Sequence, residues 1–252
     1  MKLTLVHLQV EFSKVEYNFN QIKLSYIKAA NNGSELVIFP EFSLTGYCVL
    51  SKDITIDVIG CNTSRLEEYH YMIYELVKEY KVPMTIGSFA YNDKTDSGTV
   101  AAYYLITVDG ITLVKEKQQH SKLSHPYSID YRYGGALSKQ ISINNLTMNT
   151  LICSETMDES LVDSMLECDI LLNPSAFGEL PPYIDYPIIC SKQSKLDKLL
   201  ILTPNQTINT DTYNLGRTII RRGNTVVFQH SSLHTTLIHL ESDTDEIKTS
   251  IL

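Results

Sequence analysis

The chain reads as an α/β protein with a mixed sheet. Three observations lead there: short apolar runs alternate with stretches of helical spacing, two runs have strand-turn-strand character, and the apolar runs stop abruptly at Pro, Gly or charged residues. The first strand is expected over residues 2–8. Phe19, Ile22, Tyr26 and Ala30 then recur at helical spacing, and Asn32-Gly33 closes that helix. Leu36 to Phe39 reads as a buried strand that Pro40 stops, completing a β-α-β opening. Leu66, Tyr69, Ile73 and Leu76 mark one face of a second helix, which leads through Pro83 to a strand over 84–89. Residues 99–108 and 111 to about 118 form a hairpin around Asp109-Gly110, a dipeptide favoured in tight turns. A short strand over 148–153 ends in Cys153. A helix near 158–167 leads to a strand over 169–172, and a helix near 186–196 to a strand over 199–202. Residues 216–229 make a second hairpin, and 92–98 is the most polar loop. With no repeat, low-complexity stretch or linker in view, a single domain over 1–252 is the economical reading.

Bulk properties narrow the function classes. A length of 252 residues with 43% hydrophobic content allows a substantial core. The formal charge of -8 argues against nonspecific binding to nucleic acid or to an anionic membrane. The five cysteines show neither a C-x-x-C pair nor a framework spacing, so free thiols in a reducing, cytoplasmic setting are expected. The N-terminal apolar run is broken by His7 and Gln9 and reads as a strand, not a signal peptide. No run of about 18 apolar residues is present, so no membrane span is expected. No Gly-rich phosphate loop occurs, and neither a metal nor an organic cofactor is expected.

Two runs carry chemistry. The first, Leu36 to Tyr47, drives Glu41 into the end of an apolar strand. Burying an unpaired carboxylate costs several kcal/mol or raises its pKa, and a raised pKa suits a general base. The second, Met148 to Cys153, is an apolar strand ending in a thiol and followed by Ser154 and Glu155. A lone cysteine there is usually a small buried hydrophobe. Paired with a second strand that ends in a reactive group, it becomes a candidate nucleophile.

These runs resemble the carbon–nitrogen hydrolase (nitrilase-like) superfamily, whose catalytic set is a glutamate, a lysine and a cysteine in that chain order. Phe39, Pro40, Glu41, Gly46 and Tyr47 match its glutamate motif, and Leu151, Ile152, Cys153, Ser154 and Glu155 match its cysteine motif. Residues 169–175 and 216–229 also look like family strands. The resemblance implies a four-layer α-β-β-α sandwich with the site where strands end. It also implies a cofactor-free amidase or N-carbamoyl hydrolase acting through a Cys thioester, and a homodimer or higher homo-oligomer. Its partner is then a small-molecule amide. Glu41 would be the base, the backbone N–H of Ser154 an oxyanion donor, and Tyr47, Tyr127, Tyr133 and Phe177 pocket walls.

The lysine is the least regular part of the match. Lys122 fits the spacing of family members with a short loop, lying 31 residues before Cys153, with Asp130 8 residues on as the second acid. Tyr133-Gly134-Gly135 follows like the family's aromatic-Gly closure. The lead-in His120-Ser121-Lys122 and the aspartate in place of glutamate depart from the pattern. Lys117 is the next candidate and Lys115 another. Counting from Gly110 without an insertion puts Gln118 in the column and breaks the set. Met157 and Asp158 stand where relatives that hydrolyse dicarboxylate monoamides often carry an arginine, so an acidic distal group is not expected on the substrate. A second reading, a catalytically inactive relative kept as a binding or subunit-interaction module, follows from the irregular lysine region.

Overall fold

The computed structural model describes residues 1–46, 63–91, 99–118, 137–176, 199–208, 216–223 and 225–252. In chain order the first sheet takes β1 (Lys2–Val10), β2 (Leu36–Ile38), β3 (Met84–Tyr91), β4 (Thr99–Thr107) and β5 (Gly110–Glu116). The second takes β6 (Ile141–Ile143), β7 (Leu146–Thr150), β8 (Ile170–Leu172) and β9 (Leu200–Thr203). Next comes β10 (Gln206–Ile208), which pairs with β1, and then the hairpin of β11 (Thr218–Arg222) and β12 (Thr225–His230). The chain ends in β13 (Thr236–Glu241) and β14 (Glu246–Ile251). Helices α1 (Val15–Asn31) and α2 (Thr63–Tyr80) flank β2, and α3 (Glu159–Met165) precedes β8.

Strand order in the first sheet is β14-β13-β1-β2-β3-β4-β5, and in the second β12-β11-β9-β8-β7-β6. Each sheet has a parallel centre, β1-β2-β3 in one and β7-β8-β9 in the other, with antiparallel strands toward its edges. Parallel strands buried on both faces must read as unbroken apolar runs, as Leu36 to Ile38 and Ile170 to Leu172 do. Leu3, Leu5, Leu36, Ile38, Ile238 and Leu240 of the first sheet pack against Met148, Ile170, Leu172, Leu200, Leu202 and Ile220 of the second. On the opposite face of the first sheet, Val6, Leu8, Val37 and Ile86 meet Phe19, Ile22, Tyr26, Ile73 and Val77 of α1 and α2. Val162 of α3 covers Leu171, Ile201 and Ile219 on the far side of the second. This is the expected α-β-β-α layering. Burying each of these large side chains contributes about 1.5–3 kcal/mol.

The expected helices around Phe19 and Leu66 are present and longer than their apolar stripes. Val77 takes the fully buried position where Leu76 was expected and only partly packs. Cys153 lies beyond its strand, which ends at Thr150. The expected helix near 186–196 falls outside the described residues. Strands β6, β10, β13 and β14 were not anticipated, and β13 is no edge ornament: it pairs with β1 from Lys2↔Glu241 to His7↔Thr236.

Two buried histidines make the fold acid-sensitive. His7 Nε2 lies 2.9 Å from the Ser232 carbonyl and Nδ1 lies 3.1 Å from Thr218 Oγ1, an arrangement that the neutral ring satisfies by donating to the carbonyl and accepting from the hydroxyl. Burial pushes His7 down to about 4 from 6.5. Burial also pushes His70, whose ring packs 4.7 Å from that of Tyr104, down to about 4. The unfolded chain takes up these protons near pH 6.5 and the folded one near pH 4. Their contribution is therefore intact above pH 6.5 and is lost as pH falls toward 4, by on the order of 3 kcal/mol per ring. The expected result is a lower urea midpoint at pH 5 than at pH 7, with His70→Phe flattening that dependence. An equal dependence in the variant removes His70 from this account.

Candidate active site

Glu41 is placed by the turn that follows β2. Phe39 N–H donates to the Thr85 carbonyl and Gly87 N–H to the Pro40 carbonyl, so the segment still rides on β3 as it leaves the sheet. Tyr103 Oη donates to the Phe39 carbonyl, and Ser43 N–H returns to the Gly87 carbonyl. The approach to β3 is so close that a Cβ on Gly87 would lie 2.5 Å from Glu41 Cα and 2.6 Å from the Pro40 oxygen. Only glycine fits there. Phe42 next to Glu41 has a φ of 51°, in the left-handed region that bulky residues avoid.

Cys153 opens a short 3₁₀ turn, Cys153–Met157, and also has a φ of 51°. Its backbone is over-determined. Cys153 N–H donates to the Pro174 carbonyl at 2.9 Å, and its carbonyl accepts from Asn173 Nδ2 at 3.1 Å and from Thr156 Oγ1 at 3.0 Å. Asn173 Nδ2 also holds the Leu151 carbonyl. A residue held in a sparsely populated backbone region by several independent hydrogen bonds is of the kind that clusters at functional sites.

Lysine 117 reaches the same place. Its ammonium donates to Glu41 Oε1 at 2.7 Å, with both side chains 3% exposed. A β-bulge puts it there. Leu113 pairs with Tyr104 and packs on the outer face with it, but Lys115 pairs with Tyr103, which faces the interior between the sheets. The extra residue, Val114, shifts the alternation by one and turns Lys115 and Lys117 inward. Lys117 N–H continues the ladder to the Ala101 carbonyl.

The electrostatics of the cluster follow from its dryness. Burial first, and the negative charge of Glu41 second, push the Cys153 thiol up to about 12; Lys117 and the backbone N–H of Ala176 pull the other way without prevailing. Burial thus outweighs the neighbouring ammonium, and the thiol form of Cys153 is favoured. Among the described residues Glu41 Oε2 is buried without a hydrogen bond, which suits a proton acceptor.

Of the expected site residues, Glu41 and Cys153 come together, with Lys117 as the lysine against Glu41, and Ser154 follows Cys153 in the 3₁₀ turn. Lys122, Asp130, Tyr47, Tyr127, Tyr133 and Phe177 lie outside the described residues. Asp158 faces its own helix, accepting from Ser160 N–H and Leu161 N–H as the cap of α3. Sequence reasoning missed Gly87 and Asn173. The second had a signal, a polar residue breaking the run Ile170 to Leu172 immediately before Pro174.

Comparison with known proteins bears on the fold and the family. No curated protein matches the chain in sequence. Among solved structures, an amidase from Nesterenkonia sp. AN1 superposes with a TM-score of 0.72 at 10% identity, covering 96% of this chain and 92% of its own. One structure of that amidase shows Michael addition of acrylamide at its active-site cysteine. A glutamine-dependent NAD+ synthetase from Acinetobacter baumannii superposes with a TM-score of 0.74 at 16% identity over 98% of this chain, which spans 47% of that longer protein. At such identities the likeness establishes the fold. The sequence model of the carbon-nitrogen hydrolases matches residues 2–181, well over half of the chain, and on that match the protein belongs to the carbon-nitrogen hydrolase family.

Proposed function

We propose that the protein hydrolyses a small amide or N-carbamoyl compound, with Cys153 as nucleophile, Glu41 as base and Lys117 in the part first expected of Lys122. The observation that carries this reading is the buried Lys117–Glu41 pair at 2.7 Å beside the Cys153 thiol. In the first step the sulfur bonds to the amide carbon while its proton passes to Glu41, and the carbonyl electron pair moves onto oxygen. In this reading the Lys117 ammonium and the N–H of Ser154 donate to that oxyanion, and one such donor is worth roughly 3–4 kcal/mol. The C–N bond then breaks, Glu41 returns the proton to the departing nitrogen, and ammonia or amine leaves a thioester. Water attacks the thioester as Glu41 takes its proton. The C–S bond breaks and the sulfur recovers the proton.

A thiol held up to about 12 makes sense in this scheme. Proton transfer and attack are coupled through Glu41, and no standing thiolate is exposed to oxidants or alkylating agents. Substrate class is read from the sequence after the cysteine: residues 154–158 carry no cation, and Asp158 caps the helix that follows, so no arginine stands there for a distal carboxylate. Ammonia release from a panel of small aliphatic amides, N-carbamoyl compounds and dicarboxylate monoamides tests both parts. Turnover of the neutral amides or N-carbamoyl compounds, with dicarboxylate monoamides among the poorest, is the expected result. No release from any compound returns the protein to the inactive-module reading, and a dicarboxylate monoamide among the best substrates overturns the account of specificity.

A further inference from the structure

Behind the Glu41–Lys117 pair lies a second buried pair that the proposed chemistry does not use. Lys115 and Glu155 are both fully buried, with Lys115 Nζ 3.3 Å from Glu155 Oε1. Lys115 Nζ makes no hydrogen bond. The Glu155 carboxylate instead accepts two backbone donors: Gln118 N–H on Oε1 at 2.7 Å and Ile152 N–H on Oε2 at 2.5 Å. Gln118 is the residue after Lys117, and Ile152 is the residue before Cys153. One side chain therefore ties together the two segments, on different sheets, that carry the ammonium and the thiol.

We propose that Glu155, paired with Lys115, is a positioning residue that sets the distance and orientation of Lys117 relative to Cys153. The pair is expensive as a structural device alone, since two charges removed from water stabilise a fold less than apolar residues of the same volume would. Burial raises the Glu155 carboxyl, and Lys115 first, then the Gln118 and Ile152 N–H groups, oppose that shift without cancelling it. Lys115 supplies the counter-charge beside the bridge without itself hydrogen-bonding either segment's backbone. The sulfur, the ammonium and Glu41 sit on three separate elements, and an error of about 1 Å in such a constellation can cost 10²-fold in rate.

This inference deepens the hydrolase reading and rests on it, but its test has a readout that needs no substrate. Glu155→Gln keeps the volume and loses one of the two acceptors as well as the partner of Lys115. The double variant K115M/E155Q removes the stranded ammonium and so separates folding from positioning. In Glu155→Gln, kcat is expected to fall by about 10-fold to 100-fold with KM within about threefold. In the double variant the Tm recovers and kcat does not. Cys153 alkylation by iodoacetamide is followed as a rate at one fixed pH in the same proteins. Loss of a negative charge alone would speed alkylation, whereas withdrawal of Lys117 from the sulfur slows it, and the second result is expected. A double variant with wild-type kcat, or with faster alkylation, overturns the proposal. If the wild type cleaves no amide but the alkylation rates move as stated, the hydrolase reading fails and the positioning role stands.

Discussion

Cys153→Ala is expected to lower ammonia release by on the order of 10³-fold or more with every compound the wild type cleaves, leaving the fold intact. The two halves of that expectation have separate causes. The side chain lost is a small buried group, so its removal leaves a cavity of about one sulfur atom and costs on the order of 1 kcal/mol. The backbone that presents it is held independently, by bonds of its own N–H and carbonyl to the Pro174 carbonyl, Asn173 Nδ2 and Thr156 Oγ1. A rate lost without a change in Tm therefore reports chemistry. Glu41→Gln gives a less clean answer: it removes a base worth about 10²- to 10⁴-fold, but it also strands the Lys117 ammonium in a dry site. Residual turnover in Cys153→Ala within tenfold of the wild type would sink the thioester route.

Much of the fold was readable because its parallel strands are buried on both faces. Leu36 to Ile38 and Ile170 to Leu172 have no polar face to confuse with a helix, and the apolar stripes of α1 and α2 repeat often enough to be unmistakable. The C-terminal strands were harder. In β14, Glu246 to Ile251 reads Glu-Ile-Lys-Thr-Ser-Ile, with three polar residues in a row on an exposed edge, and nothing local marks its partner β13 as a neighbour of β1, more than two hundred residues away in the chain. Pairing of that kind is a property of the assembled sheet, not of either segment.

The site divides in the same way. Glu41 and Cys153 could be found because each sits at the abrupt end of an apolar run, where a polar group needs a reason. Gly87 left no comparable mark. Its importance lies in the backbone of another strand passing 2.5 Å from where its Cβ would be. Glu155 could be seen from sequence but not interpreted, since its two backbone partners, Gln118 and Ile152, become neighbours only when the sheets face each other.

Lysine 117 against Lys122 is the sharpest separation between spacing and geometry, and the second large effect follows from it. Spacing favoured Lys122 by its 31-residue distance to Cys153, while the Lys117 distance is 36. Strict alternation from Leu113 also places Lys117 on the outer face. The bulge at Val114 cancels that objection, and the ammonium lies on Glu41. Lys117→Met is accordingly expected to lower kcat by on the order of 10³-fold, through loss of an oxyanion donor and displacement of the base together. It is also expected to destabilise the protein by about 3–5 kcal/mol, because Glu41 is left charged and buried without its partner. K117M/E41Q should restore most of that stability and none of the turnover, which shows that the rate was not lost through unfolding. Lys122→Met, made alongside, is expected to cost less than tenfold. The reverse order, with Lys122→Met the inactive protein and Lys117→Met active, would mean that the pair at 2.7 Å is a structural bridge and that the lysine of the reaction arrives from elsewhere.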